Sequence, residues 1–173
     1  MKKLFLLLVV FTLVFAGSSL AQEMSLGIGA EAGIPTGDFG NVTTFGIGGL
    51  ATFQYNVNTD FALTLKSGYL SFTGKEVTGG TYPNWGAIPI LAGGKYYFTP
   101  GDTRVYGSVD AGMYMFSVNS VNESDFSVVP QLGVQFKAGD KMDVDVHANY
   151  ANVFATGTTI SWIGFGVGLS FGM

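Results

Sequence analysis

Cysteine is absent from the 173-residue chain. That excludes disulfides, thiolate metal sites, cysteine nucleophiles and a lipid-anchored cysteine. With a single histidine and no thiol, no transition-metal cluster can be assembled, and no cofactor is expected. Charge is scarce as well. Only 12% of residues are charged, whereas a soluble surface carries about 25–35%. The formal net charge of −4 gives no basic patch, so nucleic acid is not an expected partner. Long apolar runs are missing too. The uncharged stretch from Leu4 to Ala16 falls short of the roughly 20 residues of a spanning helix.

What is present is glycine and aromatic surface: 26 Gly, 15 Phe, 8 Tyr and 2 Trp, in a chain that is 47% hydrophobic. Disorder is excluded by that content. Lys2 and Lys3, the uncharged run behind them and the small residues of Ser19-Leu20-Ala21 compose a signal peptide over residues 1–21. Gln22 is then the expected mature start, and residues 22–173 form one domain. Gly27-Ile28-Gly29 mimics a dinucleotide fingerprint but opens no helix.

Apolar residues recur at every second position over 24–34, 45–57, 61–72, 87–98, 104–117, 127–138, 142–154 and 162–171. These are eight strands, longer than the usual 5–6 residues or so and matched to the roughly 9–11 that cross a bilayer. Residues 35–44, 74–85 and 118–126 are expected as long loops, 155–160 as an intermediate one, and 58–60, 99–103 and 139–141 as short turns. Long outer loops alternating with short inner turns fit an all-β, eight-stranded antiparallel up-and-down transmembrane β-barrel.

Alternation alone also fits a soluble barrel with an apolar interior. The second face here is Gly, Ser, Thr and Asn with few charges, which makes a poor exterior in water and a good crowded lumen. Aromatics gather near both strand ends: Tyr55, Phe61, Tyr96, Phe98, Phe136 and Phe171 beside the short turns, Phe45, Tyr69 and Tyr150 beside the loops. Two such belts are expected at two membrane interfaces.

The first strand runs into Gly33-Ile34-Pro35-Thr36-Gly37-Asp38-Phe39. Ile88-Pro89-Ile90 is followed by Lys95-Tyr96-Tyr97-Phe98, and the last strand ends Gly166-Val167-Gly168-Leu169-Ser170-Phe171. In these features the chain resembles the small outer-membrane β-barrel family, the OmpX-like and OmpA-barrel-like proteins. The resemblance implies a location in the outer membrane of a Gram-negative-type envelope. It implies contact with outer-membrane lipid, assembly by the outer-membrane insertion machinery, no cofactor and no single activity.

Centring the 139–141 turn sets Lys137 opposite Asp143, Gln135 opposite Asp145, Gly133 opposite His147 and Gln131 opposite Asn149, all inward. The 58–60 turn sets Gln54 opposite Thr64 and Thr52 opposite Lys66. With Glu31, Lys95 and Asp110 these form a lumen network of both signs, in which Lys137 is expected to pair with Asp143. An interior of eight strands is just filled by side chains, so a structural plug is favoured over a narrow ion pore. A lipid-modifying enzyme would need a base beside a nucleophile. His147-Ala148-Asn149 offers Asn in place of that nucleophile, so no catalytic residue is assigned. Glu123 and Asp125 read as a solvated loop. The expected function is non-enzymatic: envelope integrity, or surface interaction with an extracellular ligand or partner through the loops. Tyr82, Pro83 and Trp85 are the candidate loop contacts, being residue types suited to binding hot spots.

Overall fold

A computed structural model describes residues 24–118 and 121–173; the proposed signal peptide, 1–21, lies outside the described residues. The barrel strands are β1 (Met24–Thr36), β2 (Thr43–Asn56), β3 (Phe61–Gly74), β6 (Trp85–Tyr97), β7 (Thr103–Val118), β8 (Val121–Lys137), β9 (Met142–Ala155) and β10 (Thr158–Gly172). A short helix, α1 (Phe39–Val42), interrupts the first loop, and a small hairpin of β4 (Glu76–Val77) and β5 (Gly80–Thr81) interrupts the second. The eight long strands close into a barrel in the order β1-β10-β9-β8-β7-β6-β3-β2. Every pairing is antiparallel, and β1 pairs with both β2 and β10, so no edge is left open.

The alternation in the sequence becomes the two faces of the wall. Leu65 is 56% exposed and Val146 is 47% exposed, whereas Thr64 and Asp110 are buried. The apolar face therefore points to lipid and the small polar face to the lumen. Two of the three short turns fix the register that the sequence implies. Lys137 stands opposite Asp143, Gly133 opposite His147 and Gln131 opposite Asn149. Gln54 stands opposite Thr64, and Thr52 opposite Lys66. Of the belt aromatics, Tyr96, Phe98, Phe136, Phe45, Tyr69 and Tyr150 are exposed, while Tyr55 is buried.

The outer end departs from the expected loops. The expected loop over 118–126 is strand from residue 121 on: Val118 pairs with Val121, and the β7–β8 ladder continues through Phe116 opposite Glu123 and Tyr114 opposite Asp125. Strands that rise beyond the apolar band have water on their outer face. They lose the polar and apolar alternation while keeping the hydrogen-bonded ladder. Between β9 and β10 the connection shrinks to a turn at Gly157, whose φ of 81° lies in the left-handed region that glycine adopts without strain.

Two prolines interrupt the wall. Proline has no N–H to give to a ladder. In β6, Pro89 falls where the β3–β6 pairing lapses between Ser67–Ile90 and Leu70–Ala87. In β8, Pro130 falls where the β8–β9 pairing lapses between Val128–Asn152 and Gln131–Asn149. The opposite edge of each strand stays paired, with β7 in both cases.

Candidate functional site

The lumen has two storeys. Towards the short turns it is polar. The carboxylate of Asp110, fully buried, accepts from Thr64 Oγ1 at 2.7 Å and from Lys66 Nζ at 2.7 Å. The Lys66 ammonium also donates to Gln131 Oε1 at 2.8 Å, and Gln131 Nε2 donates to the Tyr106 hydroxyl at 2.6 Å. Tyr106 in turn donates to Asp145 Oδ1 at 3.0 Å, which lies 2.6 Å from His147 Nδ1. His147 Nε2 faces Glu31 at 3.8 Å. Lys95 lies 3.8 Å from Asp145 and 4.2 Å above the Tyr106 ring. The network thus crosses the interior from β3 to β1 by way of β7, β8 and β9. It needs Gly133, because a Cβ there would meet the Tyr106 ring at 2.5 Å.

Below it, the Tyr97 hydroxyl ties two walls together. It accepts from Gln54 Nε2 at 3.0 Å and donates to Gln135 Oε1 at 2.6 Å. A cavity of about 70 Å³ lies above this bridge, and a vestibule of about 360 Å³ opens at the short-turn end. Gln54 and Gln135 line both, so the bridge stands between them.

The expected Lys137–Asp143 ion pair is absent among the described residues. Lys137 holds the cross-strand position but is exposed, and the long side chain gains more from water at the rim. Asp143 instead accepts from Gln135 Nε2 at 2.7 Å and lies 3.8 Å from Arg104 Nη2. Arg104, which the sequence reading passed over, also stacks 4.2 Å over the Tyr97 ring. A double-mutant cycle on Arg104 and Asp143, read by denaturant titration of the refolded barrel, should return a coupling of about 0.2–1 kcal/mol, as partly exposed pairs do. The same cycle with Lys137 in place of Arg104 should return less. A larger Lys137 coupling would reinstate the cross-strand pair.

The upper storey is apolar, which the sequence reading did not foresee. Phe39, Leu70, Phe72, Tyr114, Phe116, Val153 and Trp162 are all buried in one cluster. Phe39 comes from α1 and turns back into the barrel mouth. Its ring packs edge-on against Phe72 at 5.0 Å and Trp85 at 5.4 Å. Trp162 closes on Phe72 at 5.1 Å and Tyr114 at 5.1 Å. Thr43 Oγ1 donates to the Phe39 carbonyl at 2.7 Å and pins the helix that delivers the ring.

Trp85 is therefore no loop contact. It is the first residue of β6, half-buried, and it faces Phe39 and Phe116. Tyr82 is exposed and Pro83 half-buried in the connection from β5 to β6. The sequence signal for the cluster was parity: Phe72, Phe116 and Trp162 all lie on the face that carries lumen residues lower down.

The model of the outer membrane protein beta-barrel domain family matches residues 6–171. No curated protein matches the sequence. Among solved structures, Neisserial surface protein A superimposes with a TM-score of 0.70 at 14% identity, over 86% of this chain and 96% of that one. Ail, the attachment invasion locus protein of Yersinia pestis, solved with the heparin analogue sucrose octasulfate, gives 0.62 at 18% identity, over 89% and 100%. The outer membrane protein OprG of Pseudomonas aeruginosa gives 0.62 at 12% identity, over 88% and 96%. At such identities these likenesses speak for the fold, and the family match speaks for the chain. With its closed eight-stranded wall and apolar outer face, the protein belongs to the outer membrane β-barrel family and resides in the outer membrane.

Proposed function

We propose that the protein is a non-enzymatic barrel that acts at the cell surface, through the parts that rise above its outer mouth. The observation that carries this reading is the double closure of the lumen. An aromatic layer shuts the outer half and the Tyr97 bridge shuts the inner one, so the charged residues between them serve as a structural plug. Envelope contact and the outer surface are the roles left to a sealed barrel. Export by a signal peptide cleaved before Gln22, and insertion by the outer-membrane machinery, belong to the same proposal.

The lipid-modifying alternative finds little support. The polar contacts of the His147 ring are the carboxylates of Asp145 and Glu31, with no hydroxyl nucleophile among them. The pore alternative would require both closures to open. Ail holds a sulfated ligand, but the outer end of this chain is acidic: Asp38, Glu76, Glu123 and Asp125 lie there with Lys75. A polyanion is a poor match for that end.

Replacing residues 76–81 by a Gly-Ser linker should abolish attachment of expressing cells to their target surface and leave heat-modifiable gel mobility intact. In planar bilayers the wild type should show no steady conductance. Unchanged attachment, or a stable open channel, would overturn the reading.

A further inference from the structure

The outer mouth holds a cavity of about 440 Å³ beside α1. Its floor is apolar, made by Phe39, Trp85, Phe116 and Ile160. Its rim carries the carboxylates of Asp38, Glu123 and Asp125. Glu123 and Asp125 sit two residues apart on β8, opposite the inward residues Phe116 and Tyr114, so both are on the face that looks into the mouth. Asp38 approaches from the first loop, at the start of α1. No lysine or arginine lines the cavity. The Oδ2 atom of Asp125 is buried without a hydrogen-bond partner, so this carboxylate is only partly compensated by the protein.

A concave, apolar floor with a few convergent polar groups is how small-molecule sites are built, and about 300–1,000 Å³ is their usual size. The charge selects the ligand. Among the described residues no three acids or histidines are close enough to share a metal ion, and aromatic rings beside carboxylates suit an organic ammonium. Resting on the surface-interaction reading above, we propose that this cup binds a small amphiphilic organic cation. Its ammonium would lie between Asp125 and Glu123, with its apolar body over Trp85 and Phe39. Aromatic rings add to such binding through their negative faces.

The test is calorimetric titration of the full barrel, refolded in liposomes, with phenylethylammonium as the probe. Phenylethanol and phenylpropanoate are the neutral and anionic controls, and empty liposomes correct for partitioning. The cation should bind at least tenfold more tightly than either control and weaken with salt. Glu123→Gln with Asp125→Asn should cost it at least tenfold. Asp38→Asn, outside the strand ladder, should cost a smaller factor and serves if the double variant fails to show heat-modifiable mobility. Equal binding of cation and alcohol, insensitivity to all three substitutions, or no binding at millimolar probe would each overturn the inference. The attachment assay with the 76–81 replacement decides the broader reading separately.

Discussion

Asp110→Ala is expected to lower the stability of the refolded barrel by about 3–5 kcal/mol, the cost of stripping one partner from a buried ion pair. Asp110 is fully buried, and it is the acceptor for both Lys66 and Thr64. Removing it leaves an ammonium in the lumen whose remaining hydrogen bond is to Gln131. The pair is worth less than that figure suggests, because much of the loss is the uncompensated charge. Lys66→Met combined with Asp110→Leu should therefore recover most of the stability, as apolar replacements of buried pairs do. Denaturant titration of the three proteins, wild type included, measures both quantities. If Asp110→Ala costs under about 1 kcal/mol, a surface-like value, water has free access to the network and the lumen is not sealed.

Arg at Val146 or at Leu65 should cost about 2–4 kcal/mol, the range for a basic residue on the lipid face near the bilayer midplane. Both residues point outward, on opposite sides of the barrel order. Arg at Val105, which is also outward but lies two residues from the start of β7, should cost about 0–1 kcal/mol, as near an interface. Equal losses at the three sites would mean that the apolar face does not meet hydrocarbon.

The lower half of the molecule was legible in the sequence because turns and pleat act together there. A short turn fixes which residues oppose, and a slip of one position would turn every lumen charge into lipid. The positions of Glu31, Lys66, Lys95, Asp110, Asp143, Asp145 and His147 follow from that alone. Their partners do not, because long side chains choose among neighbours two or three strands away. Asp143 engages Arg104 and Gln135 in place of Lys137 for this reason. The upper half was less legible. Phe72, Phe116 and Trp162 fill the interior there, so an apolar side chain no longer marks the lipid face, and only the parity carried up from the polar storey places them inside. Residues 121–126, with Asn122, Ser124 and two acids, have the composition of a loop and the hydrogen bonding of a strand.

The two prolines have a further consequence for the wall. The lapses they cause lie between β3 and β6 and between β8 and β9. They divide the ring into a panel of three strands, β6 to β8, and a panel of five that contains the β1–β10 closure. Within the panels the ladders run on, with one register shift between Thr43 and Phe45 at the outer end of β2. The cylinder is thus two staves joined along two weakened seams. A change in its cross-section, from round to oval as the bilayer thickens or thins, can be taken up at those seams while the join between the first and last strands stays shut.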